Sequence, residues 1–404
     1  MKKVMWSICV SICAVLLVFA STAFAAEEGP KHFLLLGADT PFSPSLYEGS
    51  TPIVSYRYFM RDPGNNLYGE YGLDTTLMFF ILSRKTDSIQ IGIKPQFGMF
   101  TYSAYSDFDR GLNYPDRNFA GYAPGVEVFL ENKWGDYFTT KVKYLAAYYL
   151  YRENERGAVG RRTQIDLPNE HLEHKPGGEF QIGKVVTEDI GRIKSGAMIK
   201  ARYEYSRRVG YGTWVDVLPG YALGDPSGER ATSIEDTHKF WAKAGLYKNR
   251  RGYTLQMEIS GAYHTGVDRN NAEAIGSFNP GTEFSKIPGY YIGEFRHSEW
   301  AVSNIVLGMP IAFWNSRIAV GFYALYMPQD NRVIGQQDYP RELYRSVTLG
   351  LSTLLADALP FGISYGYGID ARRSDQRYQD VLAGEQVRTE KGNHEVFIYV
   401  YAAF

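Results

Sequence analysis

The sequence is nearly free of cysteine: of 404 residues only Cys9 and Cys13 carry a thiol, and both lie in the first 25. With that stretch removed, no disulfide, cysteine metal site or thiol chemistry remains to be considered. Neither sign of charge is in excess, with 43 basic against 44 acidic residues, so no basic field exists to hold nucleic acid. Beyond residue 25 there is no run of about 18 apolar residues, which excludes a membrane-spanning helix. Internal repeats, low-complexity tracts and linkers are also lacking. What the chain does have is 41 glycines, 32 tyrosines and 15% aromatic residues, a composition of strands and turns.

The N-terminus reads as an export signal. Lys2 and Lys3 precede an apolar stretch from Val4 to Ala20, and Ala23-Phe24-Ala25 forms a small-residue cleavage site. The expected organisation is a signal peptide over 1–25, a leader over 26–50 and one β domain over 51–404. The mature chain would keep 41 basic and 44 acidic residues, a balance that selects no charged partner.

Downstream, apolar and polar residues alternate. In Ile199 to Ser206 one face is Ile, Ala, Tyr, Tyr and the other Lys, Arg, Glu, Ser, the period-two pattern of a strand with one wet side. The same pattern recurs around Gln90 to Phe97, Lys141 to Tyr148 and Tyr253 to Ser260. Strands of a soluble sandwich run about five or six residues, whereas these run about ten to fifteen, enough for a tilted strand to cross a bilayer. The fold class expected is therefore all-β, a transmembrane antiparallel barrel of about 14 strands, with 12 to 16 as the range. The strands fall near 51–61, 66–83, 88–104, 120–133, 137–152, 177–188, 192–208, 238–249, 252–266, 298–309, 315–328, 342–355, 360–372 and 391–404. Short links near 84–88, 134–137, 188–192, 249–252, 309–316 and 356–361 alternate with long ones near 106–119, 153–178, 209–238, 267–297, 329–341 and 371–393, as a barrel with one short-turn end requires. His32 to Asp39 would either add a strand or belong to the leader.

The last strand carries Val396, Ile398, Val400, Ala402 and the terminal Phe404 on one face. This resembles the C-terminal signal read by the barrel-assembly machinery of bacteria. With the export signal, it places the expected product in the outer membrane of a Gram-negative envelope, in contact with outer-membrane lipid and dependent on that machinery for its biogenesis.

Two segments carry a family resemblance: Ile287-Pro288-Gly289-Tyr290-Tyr291-Ile292-Gly293-Glu294-Phe295-Arg296 and Trp300 to Pro310. With Arg317 to Met327, Leu349 to Leu355, Leu359 to Asp370 and Gly392 to Phe397, they resemble the inward loop and final five strands of the Omp85 superfamily, the bacterial surface antigen type. The chain would be a barrel-only member, because the signal peptide leads almost directly into strands and leaves no room for a POTRA domain. The resemblance implies an inward loop comprising Gly289, Tyr290, Tyr291, Gly293, Glu294, Phe295 and Arg296. It also implies a seam between first and last strands, a sheet edge able to open to lipid or polypeptide. Cysteines at Val54 and Val400 would test that seam, and the same edge would serve to pair two copies as a homodimer. The chain departs from the family where an Arg in a Val/Ile-Arg-Gly-Phe/Tyr motif meets an acidic residue: Gly293 and Glu294 fill the motif, and Gly321 to Tyr326 lacks the acid. Glu294 or Arg296 would then face luminal charges such as Lys200, Arg202 or Glu204.

Alternation assigns Lys94, Lys141, Lys143, Lys200, Arg202, Glu204 and Glu258 to the lumen. Their mixed charge suits either a passive porin for small solutes or a lumen whose charges hold a plug. A lipid hydrolase is the weaker alternative: His297 and Ser298 are adjacent, which on a strand aims them at opposite faces. His264 with Asp268, and Glu170, His171 and His174, fall in or beside long loops. No catalytic residue, cofactor or metal ligand is assigned.

Overall fold

The computed structural model describes residues 31–42, 53–62, 65–73, 77–100, 108–109, 112–113, 119–153, 166–188, 193–217, 229–266, 268, 270–273, 275–276, 283–290, 295, 297–312, 315–328, 341–355, 359–374 and 389–403. Its strands are β1 Lys31–Phe42, β2 Ile53–Asp62, β3 Leu67–Leu73, β4 Leu77–Lys85, β5 Ile89–Phe100, β6 Phe108–Asp109, β7 Leu112–Asn113, β8 Phe119–Trp134, β9 Phe138–Glu153 and β10 His171–Glu188. They continue as β11 Ile193–Val209, β12 Trp214–Val217, β13 Glu229–Thr232, β14 Asp236–Arg250, β15 Tyr253–Thr265, β16 Glu299–Ile311, β17 Ser316–Met327, β18 Glu342–Leu355, β19 Leu359–Ser374 and β20 Thr389–Ala403.

Among the described residues, sixteen of these strands close into one antiparallel barrel in sequence order, and β6–β7 and β12–β13 pair as two small two-stranded sheets of their own. The count of about 14 is corrected to 16, and two strands make the difference. The stretch read as one strand over 66–83 is β3 and β4, paired antiparallel from Leu67 with Arg84 to Leu73 with Met78, so the chain reverses between residues 73 and 77. β1 lies within the stretch read as leader, and it closes the barrel by pairing with β20 in ten register pairs, from Phe33 with Ala403 to Phe42 with His394. Val54 on β2 pairs with Ala38 of β1, so a strand separates it from Val400.

Register fixes which side chains face out. Directly paired residues point to the same side of a sheet. One side of the wall carries Ile91, Val142, Ile199, Ile259, Phe322 and Leu349, each at least 54% exposed. Large apolar side chains that alternate outward along so many strands form a belt that water alone would not favour. Trp134, Tyr137 and Tyr253 project at the short-turn end, while Tyr148, Tyr203, Tyr263 and Tyr326 project toward the long-loop end. Aromatic residues thus border the belt on both sides. The turns are made by local chemistry, as where Arg251 (φ 53°) and Gly252 (φ 86°) close the β14–β15 hairpin in the left-handed region that a two-residue turn demands.

Candidate functional site: a loop docked in the lumen

The loop between β15 and β16 runs into the barrel. Its Ile275, Phe284, Ile287, Tyr290 and Phe295 are at most 2% exposed and pack on Trp241, Trp300, Val302, Tyr323, Leu325 and Met327 of the wall. A water-filled lumen would want polar residues at Val302, Leu325 and Met327. Here those positions are apolar because the loop covers them. Burying each large apolar side chain contributes about 1.5–3 kcal/mol, so this cluster is the main hold on the loop. Ile275 and Phe295 bridge antiparallel, closing the loop on itself.

Polar contacts fix the register of the docked loop. At its start the Asp268 carboxylate takes two hydrogen bonds from Arg208, at 2.7 and 3.1 Å, and one from the Tyr211 hydroxyl at 3.0 Å. Burial raises the Tyr211 phenol above its ordinary pKa, and the Asp268 charge adds to the rise, so it stays a donor. Glu273 accepts from the Trp241 indole and lies 3.2 Å from His264 Nε2. The Glu283 carboxylate meets Lys200 at 3.1 Å and Arg202 at 3.4 Å, and both cations are also held by Glu179. Ser260 donates to the Phe284 carbonyl.

Among the described loop residues, Gly289 has φ of +85° and lies against the backbone of β19. Its N–H donates to Glu395 Oε2 at 2.6 Å, and its carbonyl accepts from Asn393 Nδ2 at 3.0 Å. Both partners are on β20, the strand that closes the barrel with β1. A Cβ on Gly289 would lie 2.2 Å from Gly368 N, and one on Gly368 would lie 2.5 Å from Gly289 O. Only glycine at both positions permits that approach. The next residue, Tyr290, donates its hydroxyl to the Arg345 carbonyl at 2.8 Å and packs edge-on against Tyr344.

Of the residues singled out in the sequence, Gly289, Tyr290 and Phe295 meet in this docked loop. Tyr291, Gly293, Glu294 and Arg296 lie outside the described residues. The carboxylate that faces Lys200 and Arg202 is Glu283, and the one at the loop tip is Glu395 on β20. Lys143 pairs with Glu204 at 2.7 Å, and Glu258 with Lys243 at 3.1 Å. The Lys94 and Lys141 ammoniums lie 4.6 and 4.5 Å from the centroids of Phe79 and Phe129. On β20, Val396 is paired with the exposed Tyr365 and so faces outward with Ile398, while Val400, of the same parity, is only 6% exposed. The Ala402 side chain and Phe404 lie outside the described residues. His297 and Ser298 are buried before β16, where the His297 ring accepts the Glu299 N–H at 3.0 Å. Glu283 was not singled out; Asp268 was named only beside His264 as a loop residue, and Gly368, Asn393 and Glu395 only within the stretches that carry the family resemblance. Glu395 carried a legible signal, a carboxylate on the side of β20 opposite Val396 and Ile398.

No protein family's sequence profile matches the chain, and no curated protein matches it by sequence. Solved structures do match in fold. CdiB from Acinetobacter baumannii superposes with a TM-score of 0.56 at 10% identity over 94% of this chain. The match spans 61% of the CdiB chain, so the protein corresponds to about three fifths of that relative. BamA from Haemophilus ducreyi lacking POTRA domains 1-3 gives 0.50 at 10% identity, covering 92% of this chain and 70% of that one. At such identities the likeness is one of fold: a closed antiparallel barrel of the outer-membrane type.

Proposed function

We infer that the protein is an integral outer-membrane barrel that rests closed, and that it handles membrane polypeptide or lipid at the β1–β20 seam. The observation that carries this reading is the loop docked in the lumen and tied through Gly289 to Glu395 and Asn393 of the closing strand. An outward apolar belt bordered by aromatic residues supports the membrane setting. The same belt, with the signal-like N-terminus and the resemblance of the last third to Omp85 barrels, supports the outer membrane as the compartment. At the level of Glu395 the β1 partner is Pro41, which has no N–H to donate, and beyond Asp39 β1 has no register partner on β2 among the described residues. A passive porin is disfavoured by a lumen packed with Phe284, Ile287, Tyr290 and Phe295, since a solute path wants a hydrated interior.

The test is ion conductance of the purified protein in a planar bilayer, intact and lacking Phe284 to Glu294. A closed intact barrel that opens on deletion is expected. Large steady steps from the intact protein would overturn the reading in favour of a porin. For the seam, cysteines at the register partners Leu36 and Val400 are to be crosslinked in cells. Full complementation of a strain lacking the protein by the locked form would sink the lateral opening.

A further inference from the structure

Three neighbouring strands carry a polar row on the outward wall near the long-loop end. His174 of β10 pairs directly with Arg207 of β11, and one step along, Tyr205 of β11 pairs with His238 of β14. His174 faces out because its partner Ala146 shares the parity of the exposed Val142, Tyr144 and Tyr148. His238 faces out with Phe240, and Arg207 is itself exposed. Each imidazole is met diagonally by a tyrosine: Tyr144 OH contacts His174 Nδ1, and Tyr203 OH contacts His238 Nδ1 at 2.9 Å. In the tautomer whose Nδ1 accepts from the phenol, the ring proton sits on Nε2, which leaves one imidazole N–H donor on each strand that adjoins the strand of Arg207. Strands are about 4.8 Å apart, a spacing that lets neighbouring donors converge on one tetrahedral oxyanion. Two carboxylates border the row: Asp236, the direct β14 partner of Arg207, accepts the Tyr205 hydroxyl, and Glu170 accepts that of Tyr148 at 3.1 Å.

A second observation lies directly below this row, toward the short-turn end. Ala201, Ala242 and Gly261 are register partners in a line, and bulky neighbours stand around them. They form the floor of a cavity of about 760 Å³ lined by Phe180, Tyr203 and Phe240 among others. The groove is apolar and opens on the face that carries Ile199 and Ile259. Donors suited to a phosphate thus stand over a groove suited to a hydrocarbon chain.

We propose that the outward row His174–Arg207–His238, with the groove beneath it, is a binding site for a phosphorylated lipid, the headgroup on the row and an acyl chain in the groove. The inference rests on the membrane reading above. Arg207 supplies a planar fork for two phosphate oxygens, and the imidazoles supply single donors on either side. Tyr144 and Tyr203 orient the rings and place the site at headgroup level, where aromatic girdles meet the polar layer.

The test uses the full mature chain in phosphatidylcholine nanodiscs doped with phosphatidic acid, followed by native mass spectrometry of the retained lipid. The intact protein is expected to keep phosphatidic acid in preference to phosphatidylcholine. The variant Arg207→Gln, His174→Gln, His238→Gln should lose about tenfold in that preference, while Lys248→Gln, an exposed lysine near the other end of the wall, should not. Ala242→Phe, which fills the groove, should also weaken retention. Equal retention by the triple variant would overturn the proposal, as would an equal loss in Lys248→Gln, which would mean general charge attraction. Retention abolished by chelating divalent cations would overturn it too, by putting Asp236 and Glu170 at the contact. A chain that fails to enter nanodiscs refutes the membrane reading itself, whereas one that enters, folds by heat-dependent gel mobility and shows no preference refutes only the lipid site.

Discussion

Substituting Gly289 by alanine should release the tip of the luminal loop while leaving the barrel wall intact. The new methyl would lie 2.2 Å from Gly368 N and 2.7 Å from the Tyr367 carbonyl carbon. These are backbone atoms of β19 that cannot turn aside, so the tip must withdraw. Withdrawal breaks the Gly289 hydrogen bonds to Glu395 and Asn393. A hydrogen bond to a charged group is worth about 1.5–3 kcal/mol and a neutral one about 0.5–1.5. If the tip stays instead, alanine at a φ of +85° costs about 1–3 kcal/mol in addition to the clash. The two costs are alternatives, so withdrawal of the tip loses about 2–4.5 kcal/mol, against the roughly 5.5 kcal/mol that takes a two-state equilibrium from 99:1 to 1:99. The assay is maleimide labelling of Ser285→Cys, a position with 0% exposure, in a background without Cys9 and Cys13. Gly289→Ala should raise the labelling rate by one to two orders of magnitude and produce conductance in a planar bilayer. Gly178→Ala is the control, since a Cβ there meets only the Lys141 carbonyl at 3.8 Å. Slow labelling and a closed barrel in a folded Gly289→Ala protein would refute the reasoning.

Gly368→Ala attacks the same contact from the wall side and should reproduce the labelling phenotype; a silent substitution would mean the two backbones do not meet. Asp268→Asn leaves Arg208, 2% exposed, without its main counter-charge, and removing one partner of a buried pair costs about 3–5 kcal/mol. A lowered unfolding temperature by circular dichroism in detergent is expected, and an unchanged one counts against the pair. Glu283→Gln removes one of two acids facing Lys200 and Arg202, a partly wet contact worth about 1 kcal/mol or less, so labelling of Ser285→Cys should rise only severalfold and the difference should shrink in high salt. Ile259→Lys puts a charge at a position 58% exposed on the outward wall, which should cost about 2–4 kcal/mol for folding into lipid vesicles. No cost would mean that this face does not meet lipid.

The barrel class was legible because period-two alternation is a direct consequence of strand geometry, and it held along β10, β11, β14 and β15. The strand number was not. Across 66–83 the alternation persists but slips by one: Tyr68, Glu70 and Gly72 share one side, and so do Phe79, Ile81 and Ser83. That phase change around Asp74-Thr75-Thr76 marks the reversal, and it is easily lost where apolar residues occupy both parities. β1 hides for a similar reason, since Phe33-Leu34-Leu35-Leu36 is apolar throughout and shows no alternation to read. The docked loop left a fainter mark. Leu325-Tyr326-Met327 is apolar on both faces at the long-loop end of β17, which in a barrel means that something dry covers the inner one. Which carboxylate meets Gly289 could not be read at all, because that contact joins residues 106 positions apart through tertiary geometry alone.

The two halves of the inner wall are built for different tasks. On β14, β16 and β17 the inward side chains toward the long-loop end include Trp241, Trp300, Val302, Tyr323, Leu325 and Met327, an apolar seat that the loop fills. From β8 to β11 the cross-strand neighbours Glu131, Lys141, Glu179 and Arg202 form a row of alternating charge, and Glu179 is bonded to its neighbour Arg202. Glu283 is where the loop leaves the apolar seat and touches this ionic row. An apolar seat without its loop would expose several aromatic side chains to water, so undocking costs more than the polar contacts alone suggest. The loop therefore stays home unless something offsets that cost. Its tip is bonded to the strand that closes the wall, opposite the proline of β1, so a partner that pairs with β20 would disturb Glu395 and the loop together. Adding an extended peptide that mimics Lys31 to Phe42 should thus raise Ser285→Cys labelling in the intact protein, whereas a reversed-sequence peptide should not. Equal labelling with both would separate the loop from the seam.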